Sequence, residues 1–117
     1  SRMPVQEQAF SVVVKGFAPQ LAMGPLLEPP VHWWTTPCPG TELSAVIWGP
    51  RCYAGLFYRG DAVDVAWRGT FGSSAYAHEL MHYFLEQRDG DSDANHQREA
   101  DWAVVNAVDL TLQAQGL

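Results

Sequence analysis

The sequence predicts a single α+β domain over residues 1–117: a small, mainly antiparallel sheet or hairpin packed on one helix, with a further helix closing the chain. Three observations carry that prediction. Strand-forming runs cluster in the middle of the chain, separated by Pro and Gly. Apolar residues return at helical spacing before and after them. Finally, 117 residues with 47% hydrophobic and 12% aromatic side chains suffice for one modest core and not for two.

From Val5 to Lys15, Phe10, Val13 and Val14 share one side of a helix, although the run Val12-Val13-Val14 also suits a strand. Pro19, Gly24, Pro25, Pro29 and Pro30 punctuate the next stretch, so residues 16–30 read as a loop or a short broken helix. Val31 to Thr36 is rich in strand formers, Pro37 to Thr41 turn the chain, and Leu43 to Trp48 is a candidate second strand. After the Gly49-Pro50 turn, Cys52 to Tyr58 and Ala62 to Trp67 read as the arms of a β-hairpin, with Val63, Val65 and Trp67 sharing one face. A helix is expected from about Ser74 to Gln87, capped by Ser73 or Ser74 and anchored by Ala77, Met81, Phe84 and Leu85. Residues 88–93 form an Asp- and Gly-containing loop. A last helix is expected from near His96 to about Ala114, with Trp102, Val105 and Leu112 on its apolar face.

A formal net charge of −6, with only 7 Lys and Arg and no basic cluster, argues against nucleic acid or an anionic membrane as partner. No apolar run has the length of a transmembrane helix. The opening Ser1-Arg2-Met3-Pro4 has no signal-peptide layout, which also suits a trimmed mature domain or a piece of a longer precursor. Cys38 and Cys52 lie in a Pro- and Gly-rich stretch. A bridge between them would stabilise a small domain by about 3 kcal/mol and imply an extracytoplasmic location, periplasmic, secreted or surface-anchored. Neither has C-x-x-C spacing, so they are not counted as metal ligands.

The chemistry concentrates in His78-Glu79-Leu80-Met81-His82, an H-E-x-x-H pattern inside an expected helix. Residues four apart stand one turn above each other, so His78 and His82 can offer two imidazole nitrogens to one ion. Glu79 lies beside that face, placed to take a proton from water rather than to bind the metal. A catalytic zinc site needs a third protein ligand. His96 is the leading candidate: the 13 residues after His82 suffice to finish the helix, reverse through the acidic loop and bring the start of the next helix alongside. Glu99 is the runner-up and Asp93 the third choice. With His96 as ligand, Glu99 or Asp101 can instead orient a ligand histidine as a hydrogen-bond acceptor.

Asp89, Asp91 and Asp93 imitate the opening of an EF-hand, but Ala94 and Ala100 replace its turn glycine and its bidentate glutamate. These carboxylates are therefore expected to be solvated and to favour the N-terminus of the last helix. His32, beside Trp33 and Trp34, is expected to be structural. Tyr58, Arg68, Tyr76 and Tyr83 are available donors for a developing oxyanion, and nothing in the sequence chooses among them.

With His78-Glu79-x-x-His82 behind a hairpin and a histidine at the start of the next helix, residues 52–112 resemble the zincin metallopeptidases. The spacing to His96 is similar to the small SprT-like arrangement. The x-x-G-x-x-H extension of metzincins is absent, with Leu85 and Arg88 at its glycine and histidine positions. The resemblance implies a minimal zincin-like fold, Zn²⁺ held by His78 and His82, and Glu79 as general base. It also implies an upstream edge strand, Ala62–Trp67 or its hairpin partner, that pairs with an extended peptide. The implied function is a zinc-dependent metalloendopeptidase acting on a peptide or protein substrate. The alternative is a non-catalytic, metal-stabilised peptide- or protein-binding domain, because so short a chain leaves little room for a second lobe. A purely structural site, however, has no need of Glu79 and is closed by four protein ligands.

Overall fold

The structure, a computed structural model, describes residues 4–34, 55–57, 62–66 and 69–117, the side chains of Leu56 and Ala66 excepted. Helix α1 spans Pro4–Leu21, strands β1, β2 and β3 span Val31–Trp34, Gly55–Phe57 and Val63–Ala66, and helices α2 and α3 span Tyr76–Asp89 and Glu99–Ala114. A single 3-10 turn, Phe71–Ser73, leads into α2. The chain is thus an α+β domain, as the periodicities predict. Among the described residues no helix is long and apolar enough to cross a membrane.

Helix α1 runs past Lys15, where the sequence suggests a loop. Gly16 is a crossing point rather than a break: a Cβ there would come within 2.4 Å of Val108 Cγ2 on α3, so only glycine allows this approach. Beyond it Phe17 and Leu21 are buried, and Pro19 falls in the last turn. Burial of those two side chains outweighs the one backbone hydrogen bond that proline removes.

The sheet has the order β1-β3-β2 and is mixed. β2 runs antiparallel to β3, with Gly55 opposite Val65 and Phe57 opposite Val63, while β1 runs parallel to β3, with Val31 opposite Val63. This corrects the expectation of a mainly antiparallel sheet. Alternation of side chains fixes which face is buried but carries no information on a neighbour's direction. The central place of β3 makes a second correction: it is paired on both sides, so among the described residues the edges belong to β1 and to β2, its hairpin partner. Val63 and Val65 are fully buried on one face, as their alternation predicts. The candidate strand Leu43–Trp48, the Cys38/Cys52 pair and Trp67 lie outside the described residues.

Helix α2 is in contact with β2, β3, α1 and α3. Phe84 packs against Phe10 and Phe17 of α1, and Tyr83 meets Phe57 of β2 edge-on. Leu80, Met81 and Leu85 are fully buried. At its start, the Ser74 hydroxyl accepts the Tyr76 N–H at 3.1 Å and donates to the Phe71 carbonyl at 3.0 Å. At its end, Gly90 turns left-handed and its N–H reaches the Glu86 carbonyl at 2.8 Å. The helix carrying the H-E-x-x-H run is therefore fixed at both ends and on more than one face.

Candidate metal centre

Helix α2 presents His78 and His82 one turn apart, and the loop between α2 and α3 brings His96 back to them. The three Nε2 atoms form a triangle with sides of 3.2 Å (His78–His82), 3.0 Å (His78–His96) and 3.1 Å (His82–His96). Two nitrogens bound tetrahedrally to one ion at ordinary Zn–N lengths stand roughly 3.3 Å apart. The donor triangle is already close to the size such an ion demands. Among the described residues these three histidines form the group able to hold a metal ion.

The protonation of the triangle is set by its surroundings. His82 Nδ1 lies 2.6 Å from the Ser92 carbonyl oxygen. A carbonyl only accepts, so Nδ1 carries the proton and Nε2 turns its lone pair towards the other imidazoles. Burial, and then the neighbouring His82 and His96, lower His78 to about 4. Burial also lowers His82, against the Ser92 hydrogen bond, which acts the other way. Neutral imidazoles with converging lone pairs are the state in which a metal is bound.

His96 reaches the triangle through an unusual backbone. Asp93 and His96 both adopt φ of 55°, in the left-handed region. Asp93, only 8% exposed, accepts the backbone N–H groups of Gln97 at 3.0 Å and Arg98 at 2.9 Å, and the Trp102 indole N–H at 2.7 Å. Burial alone would raise its carboxyl, but these hydrogen bonds outweigh burial and hold it at about 2. Two expectations are corrected here. Asp93 is neither solvated nor in the donor group, because its oxygens are committed to the loop and to Trp102. His96 does not open α3 but lies three residues before it, since Asp93 takes the amides just ahead of the helix.

The other acidic candidates are elsewhere. Glu99 is exposed in the first turn of α3, outside the donor group. Asp101 is buried, accepts from Gln20 Nε2 at 3.1 Å and lies 4.0 Å from the Arg88 guanidinium. Neither orients a histidine of the triangle. The Ser92 carbonyl does, and no side-chain pattern announces a backbone acceptor. Asp89 pairs with Arg88 and Arg98, and Asp91 with Arg98. His32 lies outside the triangle, its Nδ1 3.0 Å from Asp64 across the β1–β3 pair.

Glu79 is 6% exposed, with Oε2 4.0 Å from His78 Nε2, and burial pushes its carboxyl up to about 8. Gly55 on β2 explains how the Glu79 side chain can sit there. A Cβ at Gly55 would stand 2.7 Å from both the Ala75 Cβ and the Glu79 Cγ, and 3.1 Å from Glu79 Oε2. Gly55 and Trp102, like Ser92, are residues of the site that sequence reasoning misses. The spacing of Trp102 points only to an apolar helix face, yet its ring lies against all three histidines. Of the oxyanion donors considered, Tyr76 is buried and donates to Glu28, Tyr83 packs on Phe57, and Tyr58 and Arg68 lie outside the described residues. A groove of about 610 Å³ between α1 and α3, lined by Val12, Lys15, Val104 and Thr111 among others, includes none of the site residues.

Comparison with protein-family models, curated proteins and solved structures finds no match to this chain.

Proposed function

We propose that the chain is a zinc-dependent metalloendopeptidase of minimal zincin-like type, with His78, His82 and His96 as metal ligands and Glu79 as general base. The observation that carries this reading is the triangle of Nε2 atoms 3.0–3.2 Å apart with the buried Glu79 carboxylate beside it. Three imidazole nitrogen donors suit Zn²⁺ and leave room for water or substrate. When bound, the ion supplies Lewis acidity, polarising a carbonyl oxygen and easing the ionisation of water. Glu79 takes the proton of the attacking water and delivers it to the leaving amine nitrogen. Burial favours the neutral acid at Glu79, and a divalent charge nearby favours the carboxylate needed for that role. β2, an edge among the described strands and adjacent to Glu79 through Gly55, offers backbone pairing to an extended peptide.

The test combines metal analysis with turnover of an unfolded casein-type substrate, with and without chelator. One zinc per chain, chelator-sensitive cleavage, and retained zinc without cleavage in Glu79→Gln are expected. Cleavage at the wild-type rate by Glu79→Gln refutes the base. Full zinc stoichiometry without any cleavage by the wild type favours the metal-stabilised binding domain instead. In His96→Ala, loss of tight zinc binding is expected; unchanged stoichiometry removes His96 from the ligand set.

A further inference from the structure

Trp102 has a relation to the site that no H-E-x-x-H pattern requires. Its ring centroid lies 4.8 Å from that of His78, 4.7 Å from His82 and 4.7 Å from His96. The three imidazole centroids are themselves 4.9 Å apart in every pair. Four rings therefore stand at the corners of a nearly regular tetrahedron, and the indole sits on the axis through the imidazole triangle. It is held there by the 2.7 Å hydrogen bond from its Nε1–H to Asp93, whose other bonds fix the loop that carries His96. The indole thus touches both ligand sources, helix α2 and the loop.

We propose that Trp102 is the positioning residue of the metal centre: tethered by Asp93, its indole closes one face of the histidine triangle, so that an ion exchanges ligands only through the opposite face. The inference rests on the metal-site reading above and adds to it a direction and a cause of affinity. An indole on the axis fills the space a water would need to reach the ion from that side, which keeps the coordination number low. Its π-system also lies against imidazoles that become electron-poor once they bind a dication, and so favours the loaded state over the empty one. Its tether restricts the imidazoles in the way that outer partners of metal ligands generally do, where loss costs about 10–100-fold in affinity.

The experiment titrates Co²⁺ into the purified chain and into Trp102→Phe, Trp102→Ala and Asp93→Asn. It reads affinity by chelator competition and coordination number from the intensity of the visible Co²⁺ bands. The wild type should show the intense bands of a four-coordinate ion. Trp102→Ala should bind about 10–100-fold more weakly, with weak bands as extra water enters. Trp102→Phe keeps an aromatic ring and the fold but cannot donate to Asp93, and Asp93→Asn weakens the same tether; both should lose affinity several-fold while keeping the intense bands. Should the alanine variant not fold, wild-type affinity in both Trp102→Phe and Asp93→Asn overturns the proposal. Wild-type affinity and bands in Trp102→Ala overturn it directly. A wild type that binds no Co²⁺, or binds it equally well as His78→Ala, brings down the metal-site reading itself. Tight wild-type binding that ignores Trp102 and Asp93 brings down this inference alone.

Discussion

Substituting Gly55 by Ala tests whether β2 and Glu79 are fitted to each other as closely as the geometry states. The added methyl would stand 2.7 Å from the Ala75 Cβ and from the Glu79 Cγ, where carbons at rest prefer about 3.5–4.0 Å. Neither neighbour can give easily: Glu79 is buried, and Ala75 immediately precedes the first residue of α2. Overpacking of this kind costs about 1–3 kcal/mol. For a domain of this size that lowers the melting temperature by roughly 4–12 °C. The carboxylate must also shift, and a displacement near 1 Å at a reacting group costs about a hundredfold in rate. The three atoms nearest the added methyl belong to Ala75 and Glu79 and not to the histidines, so metal affinity should hold. Differential scanning calorimetry, metal titration and peptide turnover measured on one preparation give all three readouts. A variant with wild-type melting and wild-type turnover refutes the fit. A variant that loses metal affinity in step with turnover places Gly55 against the histidines instead of Glu79.

Two further perturbations probe parts of the structure that do not share this contact. Removal of bound metal by chelator should lower stability, because the ion binds the folded donor triangle far better than the unfolded chain; at a hundredfold excess over Kd the difference is about 2.7 kcal/mol, read as a fall in urea midpoint that zinc restores. No change in midpoint on chelation of a zinc-loaded sample would contradict a centre built across α2 and the His96 loop. Asp109 has Oδ1 buried without a partner among the described residues, and burial raises its carboxyl to about 6. Its folded-state value exceeds the unfolded one, so its contribution is intact below about 4 and is lost as the pH rises through 6. Asp109→Asn should therefore gain on the order of 1 kcal/mol at pH 7.5, after allowing for screening by nearby water, and nothing at pH 4. An equal effect at both pH values contradicts the assignment.

The helices and the meeting of His78 with His82 are largely legible in the sequence because both depend on local spacing. His78 and His82 meet by helical geometry alone, and Val63 and Val65 share a buried face by strand alternation. Where sequence reading fails, the deciding contact is distant. Gly16 and Pro19 look like breakers until Val108 and the buried flank of α1 are in place. The parallel direction of β1 leaves no trace in Val31–Trp34, since a strand's pattern is the same read beside either neighbour. Gly55 carries no side chain to notice, and its meaning lies in the Glu79 carboxylate, which belongs to another element. Asp93 reads as a solvated carboxylate because the donors that occupy it are two backbone amides and an indole nine residues on.

The loop from Gly90 to Arg98 contains Asp93, and it makes the centre dependent on folding as a whole. It supplies the Ser92 carbonyl that fixes the His82 tautomer, the Asp93 carboxylate that ties Trp102, and the third imidazole itself. Two histidines on α2 alone offer an ion only two of the three donors. The third donor, the tautomer and the closed face all arrive together when this one loop adopts its left-handed turns at Asp93 and His96. Affinity should then be cooperative in the loop's own contacts: Asp93→Asn and His96→Ala combined should cost less than the sum of the two single losses, because His96 is placed by the contacts that Asp93 makes. Strict additivity of the two in chelator competition would mean that the loop finds its position without the aspartate, and that His96 is held by its own backbone alone.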